Sequence, residues 1–558
     1  MRNIRIIPRL DVKGPNLVKG IRFEGLRVLG PPEYFARQYY EQGADEIIYM
    51  DIVASLYGRN NLKEIVSRTA RQVFIPITVG GGIRCIDDIK AILRAGADKV
   101  AINTAAINNP NLIRESAKVF GSQCIVISIE AKRVGGGKYE AFTDNGRQET
   151  GVDVFDWVYQ AYKLGAGEIL ITSIDCEGTG EGYDIELISK VSEIASVPVI
   201  ACGGAGRLED IEEVVKHTKV NAVSAASVFH YNQLTRDLVA KEYDEGNIAF
   251  LKSYTLQTHG NLKRISPLII ADVKLQLSKL DNVYIRDINM NAVVNDQYVQ
   301  NTENNAITHT SNKPFVVIVD YGCGNLFSIE HALNELGANF QFSNDPEILK
   351  SADRLILPGV GAFGEGMKNL SELRLIEPIK EHVNANKPIM GVCLGMQLLM
   401  SESEEFGLHK GLGFIDGRVV RLQTSQSGST KLNVPHIGWN QILYPHYSSR
   451  GFSKKKKRPW EETIMESVPS GSLMYFVHSY IVVPSDSTCI LAETAYGDNL
   501  FCSVVYKNNI FGCQFHPERS GEYGLDIYRR FVYGKCRWLE GIKNNIENEE
   551  LANIRRQY

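Results

Sequence analysis

The segment Pro388-Ile-Met-Gly-Val-Cys-Leu-Gly-Met396 is an apolar run that ends in a cysteine framed by glycines, and the helix-like sequence Gln397-Leu-Leu-Met400 follows it. A cysteine in such a step between a strand and a helix is typical of a nucleophile elbow. The turn needs small neighbours, and the helix N-terminus favours the thiolate. A lone cysteine among apolar residues is more often an inert core residue, so a catalytic reading of Cys393 requires a base elsewhere in the chain.

Two further segments supply the missing groups. Gly512-Cys-Gln-Phe-His-Pro-Glu518 follows an apolar strand, and His516 and Glu518 are two residues apart. On an extended segment they project to the same side, as a base and the carboxylate that orients it must. Leu357-Pro-Gly-Val-Gly-Ala-Phe-Gly364 is a strand followed by a glycine-rich turn, able to direct backbone N–H groups at an oxyanion.

With these three motifs the chain resembles the class I glutamine amidotransferases, whose triad is Cys, His and Glu in that order. The resemblance implies an α/β domain in which Cys393, His516 and Glu518 hydrolyse glutamine. It also implies a mobile oxyanion strand and a glutamine-binding region, formed by Gly359, Val360, Gly361, Leu394 and Gln397.

Length and composition limit the alternatives. A chain of 558 residues with 44% hydrophobic content is too long for one core and predicts at least two domains. A net charge of −4 and a pI near 6.3 give no overall attraction to nucleic acid or membrane. The ten cysteines show no metal-ligand spacing, and no run reaches the roughly 18 apolar residues of a membrane span. We expect a cytoplasmic protein without a metal, a cofactor, a nucleic-acid partner or a membrane partner.

The first 254 residues contain eight short β-branched runs that alternate with helical patterns. The runs are Ile4–Val12, Glu46–Ile52, Ile75–Gly81, Lys99–Thr104, Cys124–Glu130, Glu168–Asp175, Pro198–Gly204 and Ala222–Ser227. Eight strand–helix units in about 250 residues predict a (β/α)8 TIM barrel. A doubly wound open sheet is the alternative, but it rarely contains eight consecutive units.

Small and polar residues end these strands, and the two halves of the barrel repeat. Asp11 and Glu130 are 119 residues apart, and similar glycine turns follow strands 3 and 7. Together with the polar residues after strands 4 and 8, the glycine turns predict two anion sites, suited to a ligand with a phosphate at each end. Between them Asp11 and Glu130 form a candidate acid–base pair, or else two solvated strand-end acids.

Over nearly its whole length this region resembles the cyclase half of imidazole glycerol phosphate synthase, notably in Ile6–Lys13 and Thr78–Arg84. The resemblance implies that a bisphosphate ribulosyl aminoimidazole takes ammonia and is cleaved and cyclised, with Asp11 and Glu130 as the acid–base pair. The implied phosphate- and substrate-binding residues are Lys19, Gly81, Gly82, Asn103, Thr104, Ser173, Gly203, Gly204, Ala226 and Ser227. A charged ring at the strand starts would gate an ammonia path, or merely stabilise the barrel floor; it comprises Arg5, Glu46, Lys99 and Glu168.

Three positions depart from that family's pattern. Glu130 and Glu177 replace aspartates, and Arg9 replaces a cysteine. An extra methylene moves a carboxylate by about a bond length in a site that must hold to roughly 0.5 Å. These departures leave open a paralogous ammonia donor that amidates another acceptor, such as a nucleotide sugar. A scaffold whose glutaminase domain only binds is the alternative of another class.

The second half resembles the glutaminase half of the same synthase in Asp320–Asn325, Val434–Asn440 and Val477–Tyr480. We predict a barrel domain over residues 1–254, a linker over 255–313, a glutamine amidotransferase domain over 314–538 and a tail over 539–558. The basic run Lys454–Arg458 reads as a solvated insertion. The predicted function is glutamine-dependent imidazole glycerol phosphate synthesis, with glutamine and a bisphosphorylated ribotide as substrates and with the two catalytic domains packed on each other.

Overall fold

A computed structural model describes residues 2–54, 62–236, 264–287, 313–424, 432–446 and 459–534. The chain forms two units: Met1–His309 with Thr424–Trp439, and Thr310–Gln423 with Asn440–Tyr558. The end of the predicted barrel domain after residue 236, most of the predicted linker, the Lys454–Arg458 run and the predicted tail lie outside the described residues. In the six described ranges, no helix is both long and apolar enough to cross a membrane.

The first unit alternates strands and helices along the chain. Its strands are β1 (Arg2–Asn3), β2 (Arg5–Lys13), β3 (Asn16–Ile21), β4 (Glu24–Gly30), β5 (Ile47–Asp51), β6 (Ile77–Gly80), β7 (Lys99–Ile102), β8 (Ile125–Arg133), β9 (Tyr139–Thr143), β10 (Gln148–Asp153), β11 (Glu168–Ser173), β12 (Val199–Cys202), β13 (Ala222–Ala225) and β14 (Val283–Tyr284). Its helices are α1 (Pro32–Glu41), α2 (Leu62–Ala70), α3 (Ile86–Arg94), α4 (Thr104–Asn108), α5 (Asn111–Phe120), α6 (Val154–Leu164), α7 (Ile185–Ile194), α8 (Leu208–His217), α9 (Ser227–Arg236) and α10 (Ile270–Leu277).

Eight of these strands are parallel and close into a barrel in the order β2-β5-β6-β7-β8-β11-β12-β13, because β13 pairs with β2. The predicted TIM barrel is confirmed. The strands are buried on both faces, as continuous apolar runs in a parallel sheet require; β11 is buried at every position. Strands 4 and 8 of the barrel end earlier than predicted, because Thr104 and Ser227 begin helices α4 and α9.

Two antiparallel hairpins, which the sequence analysis did not predict, stand at matching places in the two halves. The pair β3–β4 follows the first barrel strand, and the pair β9–β10 follows the fifth. Phe23 at the first hairpin's turn packs against Phe142 and Ile174. The repeat within the barrel therefore extends to its loops.

The strand register stacks the inward-facing side chains in layers of four from alternate strands, as in other eight-stranded barrels. A charged layer at the floor holds Glu46, Lys99 and Glu168, and apolar layers lie above it. The next layer towards the mouth contains Arg9, Gly80, Ser128 and Cys202. Asp11 and Glu130 lie above it, nearer the mouth. The barrel centre is thus a packed core with a polar upper half.

Residues Arg264–Asp287 belong to the first unit, and the part of this segment from α10 to Asp287 attaches to the barrel floor. Strand β14 pairs in parallel with β1, and Lys274 on α10 places Nζ 2.5 Å from Asp45 Oδ1. Arg286 Nε lies 2.6 Å from the same oxygen. Burial alone would raise the pKa of Asp45, but the two cations hold it below its usual value. The barrel's own buried carboxylate therefore depends on this segment.

The second unit is an α/β domain built mainly on one mixed sheet, to which β22 and β23 do not belong. Its strands are β15 (Phe315–Val319), β16 (Asn339–Ser343), β17 (Arg354–Leu357), β18 (Ile389–Val392), β19 (Met400–Ser403), β20 (His409–Lys410), β21 (Ile415–Arg421), β22 (His436–Gln441), which runs across the boundary between the units, β23 (Leu473–His478), β24 (Tyr480–Pro484), β25 (Ile490–Tyr496), β26 (Asn499–Lys507) and β27 (Ile510–Cys513). Its helices are α11 (Leu326–Glu335), α12 (Pro346–Ser351), α13 (Phe363–Glu372), α14 (Ile376–Asn384), α15 (Leu394–Leu398) and α16 (Gly521–Tyr533).

The parallel half of this sheet has the order β16-β15-β17-β18-β27, and β26 and β24 extend it with antiparallel pairings. The carboxyl ends of β17, β18 and β27 lie side by side, so the loops that follow them converge at one edge. These three loops carry the three motifs of the sequence analysis. The predicted α/β fold of this domain is confirmed.

Candidate active sites

Cys393 lies at the turn between strand β18 and helix α15, with φ 52° and ψ −106°. A non-glycine residue rarely takes this conformation, and its strain is typical of a nucleophile presented on an elbow. The turn is tight enough to need glycine on both sides. A Cβ on Gly391 would lie 2.5 Å from the carbonyl oxygen of Gly395, and one on Gly395 would lie 1.8 Å from that of Leu357.

His516 and Glu518 form the base and its orienting group. His516 Nδ1 lies 2.7 Å from Glu518 Oε1, and Tyr528 donates to the other carboxylate oxygen at 3.1 Å. Burial lowers the pKa of His516, but the neighbouring Cys393 sulfur and the Glu518 carboxylate raise it well above its usual value. The arrangement therefore favours the protonated imidazole beside Cys393.

Gln514 is a site residue that the sequence analysis did not single out. Its Nε2 donates to Cys393 Sγ at 3.7 Å, and its Oε1 accepts from Gln397 Nε2 at 3.2 Å. The second bond fixes which end of the amide faces the sulfur. Gln514 is two residues before His516, so the same period of two that links His516 to Glu518 was the available signal.

The predicted oxyanion strand contacts the elbow directly. The N–H of Leu394, the first residue of α15, donates to the carbonyl oxygen of Gly359 at 3.3 Å. A Cβ on Gly359 would lie 2.5 Å from Leu394 Cβ, and Gly361 has φ +152°. An oxyanion can reach the Leu394 N–H only after the Gly359 carbonyl has turned away.

Glu405 is a second residue that the sequence analysis missed. Its carboxylate is buried and accepts from the N–H of Phe363 at 2.7 Å, where α13 begins directly after the glycine-rich turn. Burial raises its pKa to about 7, although the Phe363 hydrogen bond opposes this. A buried carboxyl beside the oxyanion strand is suited to a cationic group of a ligand. In the sequence, Glu405 is one of several neighbouring acidic residues, so nothing marked it as a site residue.

At the barrel floor the four predicted charged residues form one closed, buried ring. Arg5 pairs with Glu46 at 2.7 Å and also with Glu168, and Lys99 pairs with each carboxylate at 2.6 Å. Thr78 donates a further bond to Glu46 at 2.5 Å. Within the first unit, Trp439 Nε1 donates to the carbonyl oxygen of Asp45, next to the ring, at 3.1 Å.

At the opposite end, two pockets open beside the glycine turns. The first is a cavity of about 370 Å³ whose walls include Gly81, Gly82, Asn103, Thr104 and Glu130, with Arg84 and Asn145 among the residues not predicted. The second is a narrow cleft lined by Lys19, Gly203, Gly204, Ala226 and Ser227. Ser173 lies buried beside this cleft, next to Gly203.

The candidate acid–base pair lies between the two pockets. Glu130 accepts from the N–H of Gly146 at 2.7 Å and from Asn103 Nδ2 at 3.2 Å. Burial raises its pKa to about 7, against the lowering effect of the Arg9 cation. Asp11 contacts two cations, Arg9 at 2.8 Å and Lys19 at 3.9 Å. The two carboxyls thus have different surroundings, which suits an acid and a base.

Within the part of the chain that the structure describes, no three His, Cys, Asp or Glu side chains gather so as to hold a metal ion. Lys19 also pairs with Glu177, so the hairpin β3–β4 is tied to the loop after β11.

Comparison with known proteins agrees with this arrangement. A family model described as histidine biosynthesis protein matches residues 5–235, and one described as class-I glutamine amidotransferase matches residues 317–534. The barrel is 64% identical over 210 residues to imidazole glycerol phosphate synthase subunit HisF of Legionella pneumophila, covering 38% of this chain and 99% of that protein. It is 48% identical over 244 residues to the subunit of the same name from Bacillus cereus (strain G9842), covering 44% of this chain and 97% of that protein.

The fold and the two sites define an enzyme in which a histidine-biosynthesis barrel and a class I glutamine amidotransferase domain share one chain. The sequence analysis predicted both domains in this order, and that prediction is confirmed. The chain belongs to the imidazole glycerol phosphate synthase family, as a bifunctional fusion with the cyclase barrel first.

Proposed function

We propose that the second unit hydrolyses glutamine and that the barrel uses the released ammonia to convert a bisphosphate ribulosyl aminoimidazole to imidazole glycerol phosphate and an aminoimidazole carboxamide ribotide. The observation that carries this proposal is the pairing of the Cys393, His516 and Glu518 site with a barrel mouth that has two pockets around Asp11 and Glu130. The family of the barrel supports the same assignment.

In the glutaminase step, the Cys393 thiolate attacks the side-chain amide carbon of glutamine. The N–H of Leu394 and the backbone of the 359–361 strand stabilise the oxyanion once the Gly359 carbonyl has moved. His516 gives its proton to the leaving ammonia, and a thioester remains on Cys393. Water, deprotonated by His516, then releases glutamate and restores the thiol, while Glu518 holds the imidazole in place.

Gln397 and Glu405 complete the glutamine site in this proposal. Gln397 is anchored by Tyr480 O at 3.0 Å and by Gln514, so its position is fixed before substrate arrives. Glu405, as a carboxylate, is suited to the α-ammonium group of glutamine. The ring of Arg5, Glu46, Lys99 and Glu168 acts as the gate through which ammonia enters the barrel.

In the barrel, the pockets beside the glycine turns bind the two phosphates through backbone N–H groups and the N-termini of α4 and α9. Glu130 acts as the general acid and Asp11 as the general base. The enzyme acts in the cytoplasm on small molecules, without a metal or a cofactor.

The test is to incubate the purified chain with the ribulosyl bisphosphate and either glutamine or ammonium salt. We expect both imidazole glycerol phosphate and the carboxamide ribotide, with Cys393→Ala retaining the ammonium-dependent reaction only. Absence of both products at every ammonium concentration would defeat the cyclase assignment. Unchanged glutamine turnover in Cys393→Ala would defeat the glutaminase assignment.

A second candidate function is the supply of ammonia to another acceptor, such as a nucleotide sugar. It is favoured by one observation, the Arg9 guanidinium that lies inside the barrel mouth against Asp11. Glutamate release that responds to a nucleotide sugar and not to the ribulosyl bisphosphate would select this alternative.

A further inference from the structure

Arg9 lies in the upper half of the barrel interior, and its side chain is 1% exposed. Its Nε donates to Asp11 Oδ1 at 2.8 Å on its own strand, β2. Its Nη1 reaches across to β11 and β12, where it donates to Thr172 Oγ1 at 3.2 Å and to Cys202 Sγ at 3.6 Å. Contacts on three strands therefore fix the plane of the guanidinium.

This position is between the two pockets of the mouth. Cys202, whose sulfur accepts a hydrogen bond from Arg9, lines the cleft beside Gly203 and Gly204. Glu130, whose pKa is lowered by the charge of Arg9, lines the larger cavity beside Gly81 and Gly82. Arg9 itself lines neither pocket, and a ligand that places one phosphate in each would pass over the layer of the barrel that holds this guanidinium.

The third nitrogen of the guanidinium is available. Nη2 of Arg9 is buried and has no hydrogen-bond partner in the described ranges, although all five guanidinium N–H groups are donors. A buried N–H group without an acceptor retains its full desolvation cost. A ligand oxygen in the place of that acceptor would remove this cost.

We propose that Arg9 is a substrate-binding residue of the barrel mouth, which donates from Nη2 to a carbonyl or hydroxyl oxygen of the sugar chain between the two phosphates. This inference rests on the proposed function, since it takes the ligand to be a bisphosphate with an oxygenated chain. It assigns to Arg9 the recognition of that chain, while the glycine turns recognise its ends.

The test measures binding to the full chain by calorimetry, with two probes. One is the ribulosyl bisphosphate, and the other is an alkanediol bisphosphate of similar length with no oxygen between its phosphates. We expect Arg9→Met to weaken the ribulosyl ligand by about 10-fold to 100-fold, the range for a hydrogen bond to a charged group, with a much smaller effect on the alkanediol ligand. Arg9→Lys, which keeps the charge but loses the fork, should be intermediate for the ribulosyl ligand.

The matched control is Arg37→Met, the same change at an exposed arginine of α1, which should bind both probes as the original chain does. Equal weakening of both probes by Arg9→Met would show a charge effect alone and would overturn the inference. If Arg9→Met does not fold, Thr172→Val loosens the guanidinium while retaining its charge. It should weaken the ribulosyl ligand selectively, and an unchanged affinity would overturn the inference. Failure of the original chain to bind either probe would instead overturn the proposed function.

Discussion

The chemistry of the barrel mouth depends on which carboxyl carries a proton. Burial raises the pKa of Glu130 to about 7, and the Arg9 cation and the Gly146 N–H offset this only in part. A general acid works in its protonated form, which is the major form below its pKa. Glu130 is therefore partly protonated at neutral pH, and the acid role proposed for it is lost as the pH rises.

We expect the yield of imidazole glycerol phosphate per glutamate released to fall about tenfold per pH unit above the pKa of Glu130, near 7. The ratio is measured at saturating glutamine so that the pH dependence of the glutaminase cancels. Glu130→Gln should lower the cyclisation rate about 10²-fold to 10⁴-fold and abolish the fall in yield with rising pH. If the fall in yield persists in Glu130→Gln, a group other than Glu130 causes it.

Gln514 offers a test of how the thiolate is held. Replacement by leucine removes the N–H that faces Cys393 Sγ at 3.7 Å. We expect Gln514→Leu to lower kcat for glutamine hydrolysis by about tenfold or more, because a hydrogen bond to a charged group contributes about 1.5–3 kcal/mol. The pH at which iodoacetamide alkylates Cys393 should rise in parallel. An unchanged alkylation profile would mean that the amide only fills space.

The three residues of the proposed glutaminase site could be proposed from the sequence because each lies in a short local motif on a strand end. Cys393 is marked by its glycine neighbours, and His516 and Glu518 by their spacing. The closed position of the Gly359 carbonyl was not predictable from the sequence. Its hydrogen bond from the Leu394 N–H joins two residues that are 35 positions apart (394 minus 359). The first hairpin was missed because only the last two residues of β4 are buried, which leaves no apolar alternation of a half-buried strand.

The oxyanion strand has little room to move past helix α15. A methyl group at Gly359 would lie 2.5 Å from Leu394 Cβ and 2.8 Å from the Gly395 nitrogen. We expect Gly359→Ala to lower kcat for glutamine hydrolysis by about 10²-fold to 10³-fold, as loss of one oxyanion donor does. The Km for glutamine should change less, which steady-state kinetics would show.

Gly366→Ala is the matched control for this prediction. Gly366 lies in α13, close to the same strand, and a methyl group there meets its nearest neighbour, Leu394 Cδ2, at 3.4 Å. Glutamine turnover near that of the original chain is expected for the control. Equal losses in the two variants would attribute the effect to general disturbance of the domain.

The chain as a whole is organised by contacts that its sequence order hides. The predicted barrel ended at residue 254, yet Lys274 and Arg286 pair with Asp45, which is 229 and 241 residues earlier. Neither local periodicity nor composition can indicate an ion pair between residues so far apart in the sequence. The eight strands and their order were predictable, because each strand and its glycine turn are local features.

This placement of Asp45 bears on any attempt to produce the synthase as two separate polypeptides. A gene fragment that stops at codon 254 yields a barrel whose buried Asp45 has lost both counter-charges, a loss of about 3–5 kcal/mol. A fragment that continues through Asp287 retains both. Side-by-side urea titrations should give the longer polypeptide the higher midpoint, and coincident midpoints would contradict this. The boundary at which the fusion is best divided into two polypeptides therefore lies after Asp287.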